Sequence, residues 1–189
     1  MIGRIEEILK GMLSDPSNAV RLAASASLDR LRAKRELPRY LQILKSGSLQ
    51  ERVRIVFAAR EIGGTEGVTI LLAALEDPAE EVRGASVREL ESSLTGTVLK
   101  AMVGRLPRES GVVLGNLLEM LGKSRRKELA PIVERYLNHG DLEVRAKAIQ
   151  ALARVAGSAG CERILPLASE KEEAVRVAAA RALGEWSSE

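Results

Sequence analysis

"GDLEVRAKAIQALARVAG", residues 140–157, is followed by "KEEAVRVAAARALGEW", residues 171–186, and the two share one order: a Val-Arg pair, then alanines, then a leucine. Self-similarity at a fixed distance decides the fold, because a unit of this length is one supersecondary motif that must stack on copies of itself to bury its apolar face. Anchoring on the valine extends the series to Val20, Val53, Val82, Val113, Val144 and Val175, with steps of 33, 29, 31, 31 and 31 residues. Six units then cover residues 1–189 as one domain, at about 1–35, 36–64, 65–94, 95–124, 125–157 and 158–189.

From the valine an apolar stripe runs four and eight residues on, as in Val144, Ala148, Leu152 and Val175, Ala179, Leu183. That spacing is helical. The second unit follows it in part, since Val53 and Phe57 lead to Glu61. Asp15-Pro16 and Asp77-Pro78 place a capping carboxylate before a first-turn proline, and Ser48 with Glu51 and Ser169 with Glu172 have capping-box spacing. A shorter periodic segment, such as Leu129, Ile132, Val133 and Leu137, precedes each stripe. Each unit reads as helix A, a tight turn, then helix B. One such pair is marginal in water, so stacking into an all-α superhelical solenoid is the expected architecture.

Composition agrees: 46% of residues are hydrophobic and 29% charged, with Tyr40, Phe57, Tyr136 and Trp186 the only aromatics. The core is therefore made of Ala, Val, Leu and Ile. A net charge of +3 is mildly basic. A lone Cys161 excludes an internal disulfide and fits a reducing compartment. No apolar run reaches transmembrane length, and MIGRIEEILK interrupts its apolar residues with charges, unlike a signal peptide. A cytoplasmic location with no membrane partner is expected.

The phrases DPSNAVRLAASASL, DPAEEVRGASVREL, GDLEVRAKAIQAL and KEEAVRVAAARAL resemble HEAT repeats, specifically the short bacterial HEAT-like type also found in phycobilisome lyases. The resemblance covers nearly the whole chain and is weakest in repeat 4. It implies a ladder in which a turn carboxylate and the arginine after the valine alternate along the stack. Carried over residue by residue, the arginines are Arg21, Arg54, Arg83, Arg145 and Arg176, and the carboxylates Asp15, Asp77 and, with shifted spacing, Asp141. Repeat 4 has Arg108 and Leu114 at these places, so the ladder is expected to break there.

Nothing in the sequence supports catalysis. The five arginines could form a phosphate rail, but a neighbouring turn carboxylate favours a structural role. Cys161 and His139 share no motif, and the carboxylates fall at caps and on polar faces. LGKSRR, residues 121–126, lacks both the earlier glycine and the strand that a phosphate-binding loop requires. Two basic clusters, Lys123, Arg125, Arg126 and Lys127, and Arg30, Arg32, Lys34, Arg35 and Arg39, are assigned to B-to-A turns along one edge.

If the B helices line the concave side, as the resemblance implies, the groove carries Arg52, Arg88, Asn116, Glu119, Lys147, Gln150 and Arg181. Its mixed charge suits a helix or extended segment of another protein. The expectation is a non-catalytic protein-binding scaffold or adaptor with no cofactor and no metal. A chromophore-lyase subunit, permitted by the repeat type, and duplex nucleic-acid binding through the basic edge stay open as alternatives. Repeat 4, with Gly111 and Gly115 and without ladder residues, is expected to be a weak unit and a hinge between repeats 3 and 5.

Overall fold

The computed structural model describes residues 1–185; Trp186 lies outside them. All regular structure among the described residues is helical: α1 (Ile2–Met12), α2 (Asn18–Ser46), α3 (Leu49–Ile62), α4 (Gly64–Ala74), α5 (Glu80–Glu89), α6 (Gly96–Arg105), α7 (Gly111–Lys123), α8 (Ala130–Glu134), α9 (Leu142–Ala156), α10 (Ser158–Ile164) and α11 (Glu173–Gly184). The chain forms two compact units, Met1–Val82 and Arg83–Glu189. The B helices are the start of α2, then α3, α5, α7, α9 and α11.

In the first unit α1 packs on α2, α2 on α3 and α4, and α3 on α4. The expected turn between repeats 1 and 2 is absent, because α2 runs unbroken through residues 30–37 with Pro38 inside it. The stretch "RLRAKREL" contains only good helix formers and no glycine, so nothing stops the helix, and Pro38 merely deletes one backbone donor. The cluster Arg30, Arg32, Lys34, Arg35 and Arg39 is therefore on a helix and not in a turn. By contrast α3 and α4 meet at Gly63 and Gly64, with φ of 62° and 56°, a conformation glycine adopts freely. Ser48 and Glu51 form the expected capping box at α3. Ser169 and Glu172 do not: α11 has Glu172 as its N-cap with no side-chain cap bond.

In the second unit the most extensive pairing is α7 on α9, followed by α9 on α11. Repeat 4 is thus closely packed against repeat 5. Val113, Leu114, Leu117, Leu118, Met120 and Leu121 of α7 are all buried. Its glycines serve close approach: a Cβ added at Gly122 would lie 2.7 Å from Ala151 Cα, so only a glycine lets the two helices come this near. Small residues bring the α7 and α9 backbones together, and the dispersion gained offsets the propensity cost of glycine.

The ladder exists on a different register. Arg21, Arg52, Arg83, Arg145 and Arg176 are spaced by 31 residues or its multiple, and each is the fourth residue of a B helix. Arg52, and not Arg54, is the repeat-2 member. Arg52 Nε and Nη2 donate to Asp77 at 2.8 and 3.2 Å, and its Nη1 donates to the Gly47 carbonyl at 2.8 Å. Arg54 is exposed. Arg83 grips Glu109 at 2.8 and 2.9 Å, and Arg105 donates to the same carboxylate. Arg145 donates to the Leu137 carbonyl at 2.9 Å and pairs with Glu170 at 3.4 Å. Arg21 and Arg176 bond the carbonyls of their own turns: Asp15 and Pro16, and Glu170 and Lys171.

Repeat 4 thus has a turn carboxylate, Glu109, one residue from the expected place. The ladder breaks only where Leu114 replaces the arginine, and there the next turn offers His139 instead of a carboxylate. Asp141 is an N-cap that accepts from Glu143 and Val144, and Asp15 accepts from the Ser17 amide.

Two outcomes test this description. Leu114→Arg places a charge in a sealed site without a counter-ion and is expected to cost about 3–5 kcal/mol, whereas Leu114→Met stays within about 1.5 kcal/mol; urea unfolding reads both. The second concerns Glu109, whose side chain is 2% exposed. Burial pushes its carboxyl up, but hydrogen bonds from Arg83 and Arg105 outweigh it and hold it below the ordinary value of 4.5. A depressed carboxylate stabilises the fold fully above its unfolded value and loses that contribution as pH falls through the folded one. Glu109→Gln should therefore cost about 1–3 kcal/mol at neutral pH, a difference that vanishes in acid. Parallel stability curves for the two proteins would refute it.

Candidate functional site

The B-helix face of the second unit carries a chain of charges built by the 31-residue period. Lys147 of α9 donates to Glu119 of α7 at 2.7 Å. Lys123, one turn along α7, reaches Glu119 at 3.2 Å and Glu91 at 2.8 Å. Arg154 of α9 pairs with Glu185 at 3.3 Å. Most of these groups are half-buried. The Lys147 hydrogen bond holds the Glu119 carboxyl below its usual range against the effect of burial, with Lys123 adding to it. The Glu91 hydrogen bond raises Lys123 in turn, again against burial.

Asn116 lies one turn before Glu119 on the same face. Its Nδ2 is buried with no hydrogen-bond partner among the described residues. A buried donor left unpaired costs about 1–3 kcal/mol, and among the described residues this is the buried side-chain donor on the face that the fold leaves unsatisfied. Arg88 of α5 and Arg181 of α11 are exposed at the positions equivalent to Glu119, and Gln150 of α9 is half-buried at the same position. Six of the seven sequence-assigned groove residues thus fall on the second unit. Arg52 belongs to the ladder of the first unit, 16% exposed at its side chain and committed to Asp77. The network partner Lys123, which the sequence places both in a basic turn and on the groove side ten residues after Val113, belongs with this face. The signal that finds both is the strict 31-residue register.

The basic clusters are largely neutralised. Lys123 is paired as above, and Arg126 sits 3.4 Å from Glu128. On α2, Arg32 pairs with Asp29, Arg35 with Glu6 at 3.1 Å, and Arg39 with Glu36. Arg125 and Lys127 do line a recess of about 530 Å³ with Arg154, Gly157, Ser158 and Glu185. His139 Nδ1 accepts from the Asp141 amide, a turn contact. Cys161 is half-buried on α10. Among the described residues no group of three His, Cys, Asp or Glu side chains stands close enough to hold a metal ion, and no helix is long and apolar enough to cross a membrane.

The comparisons with known proteins fit this architecture. Residues 99–184 match the family model of HEAT repeats. No curated protein matches the sequence. Among solved structures, an engineered protein determined by the Northeast Structural Genomics Consortium is similar at 19% identity, with a TM-score of 0.53 over 96% of this chain and 95% of that one. A designed armadillo repeat protein is similar at 17% identity, with a TM-score of 0.51 over 95% of this chain and 98% of that one. Identities this low speak to the fold alone. The 31-residue helix pair and the solved structures make this chain an all-α solenoid, of which residues 99–184, across α7, α9 and α11, are similar to HEAT repeats.

Proposed function

We propose that the chain is a non-catalytic scaffold that binds a segment of another protein along the B-helix face of α5, α7, α9 and α11. The observation that carries this reading is Asn116. Its buried, unpartnered amide sits in the middle of a face whose other charges satisfy one another, and a peptide carbonyl or carboxylate from a partner would supply the missing acceptor. Arg88 and Arg181 flank it at equivalent positions, offering guanidinium groups that suit acidic side chains. Stacked repeats commonly bind through such extended surfaces. The pairing of the basic clusters on α2 and around residues 123–128 argues against a phosphate-binding edge, which would need several free cations. The chromophore-lyase alternative lacks a specific supporting residue: no acid, base or nucleophile constellation lies on this face.

Cross-linking the protein in native lysate, with and without the double change Arg88→Glu and Arg181→Glu, tests the proposal. Both sites are exposed, so stability should move by no more than about 0.5 kcal/mol. Capture of the partner should fall by about tenfold or more, with wild-type cross-links concentrated on α5, α7, α9 and α11. Equal capture by the variant would place the partner elsewhere. Lys147 is unsuited to this test because its reversal would break the Glu119 pair and confound binding with stability.

A further inference from the structure

Within the second unit, the turns that follow α7 and α9 gather cations around one recess of about 530 Å³, with Arg125, Lys127, Arg154, Ser158 and Glu185 as its polar side chains. We propose that this recess binds a phosphoryl dianion carried on a serine or threonine side chain of a partner protein. The carrier rests on the protein-binding reading above, whereas the anion chemistry rests on the recess alone.

Arg125 has a φ of 52°, in the left-handed region where a Cβ crowds the following carbonyl, and among the described residues no other non-glycine has a positive φ. Twice the 31-residue period earlier, the same repeat position is Gly63, with a φ of 62°. The turn after α9 likewise takes its positive φ at a glycine, Gly157. This chain therefore uses glycine for the left-handed turn elsewhere, yet keeps an arginine at residue 125 in spite of the strain. The turn does not need that side chain. The amides of Ser124 and Arg125 donate to the Met120 and Gly122 carbonyls, and the Ser124 hydroxyl donates to the Leu121 carbonyl at 2.6 Å. What the strained position retains is a guanidinium on the wall of the recess.

Charge points the same way. Arg125 and Lys127 are exposed and have no ion-pair partner among the described residues, while Arg126 between them turns to Glu128. Arg154 meets Glu185 at 3.3 and 3.5 Å, the long end of hydrogen-bonding range, so a stronger acceptor displaces that carboxylate. Three cations against one carboxylate leave the recess two charges positive. A phosphate monoester carries a charge of about −1.5 to −2 at neutral pH, whereas a carboxylate carries one. Two free cations are too few for the run of phosphates on a duplex, but they match one dianion. The recess is also large enough to take a whole ligand, so the phosphoryl group enters on a carrier. No aromatic side chain lines it, which leaves a nucleobase nothing to stack on, and alanine and glycine make up most of the remaining wall, leaving room for peptide main chain.

Nuclear magnetic resonance titration of the full chain at low salt, with an end-blocked Ala-phosphoserine-Ala peptide as the probe, tests the proposal. The phosphorylated peptide should shift the amides of residues 125–127 and 154–158 in a saturable way, and the unphosphorylated peptide should not. Affinity should fall several-fold as the phosphate takes up its second proton near a pH of about 6. Arg125→Gly relieves the backbone, so it should hold or raise the urea midpoint while weakening the phosphopeptide about tenfold, the loss of one charge-assisted bond. Glu185→Gln frees Arg154 and should tighten binding. A full chain that does not bind the phosphopeptide would overturn the proposal, as would affinity unchanged by Arg125→Gly. Adenosine monophosphate bound more tightly than the peptide would make the recess a nucleotide site, and a lower urea midpoint for Arg125→Gly would assign the side chain to the turn; either result defeats the idea. Arg88 and Arg181 are intact in these variants, and a three-residue probe is too short to span the B-helix face, so failure here is distinct from failure of the scaffold reading.

Discussion

The junction between one helix pair and the next is the constraint on which the structure depends. A pair of ten- to fifteen-residue helices buries too little to hold its own shape, so stability resides in what each B helix offers its neighbour. That offer has an apolar part, as in Gly115, Leu118 and Gly122 of α7, and an electrostatic part, the arginine at the fourth helical position. The arginine satisfies carbonyls left bare by its own turn and then grips the carboxylate of the next, as Arg52 does with Gly47 and Asp77. One side chain thereby fixes the turn and the spacing of two repeats together.

The architecture was legible in the sequence because it is written in period, and period survives the drift of individual residues. The register was less so. Anchoring repeat 2 on Val53 follows the most visible hydrophobic residue, but the position 31 residues from Val20 and Val82 is Glu51, which the α3 capping box uses. A local valine thus outcompeted a global spacing and moved the ladder arginine from Arg52 to Arg54. The uninterrupted α2 departs from the period for a similar reason: the repeat boundary calls for a turn, whereas the absence of any glycine across residues 30–37 is what governs. Of the candidate surface, the helix positions followed from the period, but the pairing of Lys147, Glu119, Lys123 and Glu91 did not. Partners 28 or more residues apart meet only when the stacking distance is known.

That pairing reshapes the proposed binding surface. A face read from sequence as alternating long charges offers few free ones, since each lysine in the network already has its carboxylate. What is left for a partner is a small set of groups at one repeat position, Arg88, Gln150 and Arg181, together with the Asn116 amide. Half-buried charges locked in pairs hold their rotamers and lose little entropy when covered, so under the proposed function they form a preorganised floor around Arg88, Gln150, Arg181 and Asn116.

The break in the ladder shows how the two halves of a junction substitute for each other. Leu114 replaces the arginine and His139 stands where its carboxylate would be, so both members of the pair are gone together and no buried charge is orphaned. Removing one partner of a buried pair is costly, but exchanging the whole pair for apolar contact is often neutral or stabilising. Here the exchange coincides with Gly122 against Ala151 and with the most heavily buried helix of the chain. Apolar contact is insensitive to pH and to salt, whereas the junction that Arg83 holds with Glu109 weakens as that carboxylate protonates. The junction between α7 and α9, directly beneath Asn116, Glu119 and Lys147, is thus one whose geometry does not depend on a carboxylate staying charged, and the candidate surface rests on it.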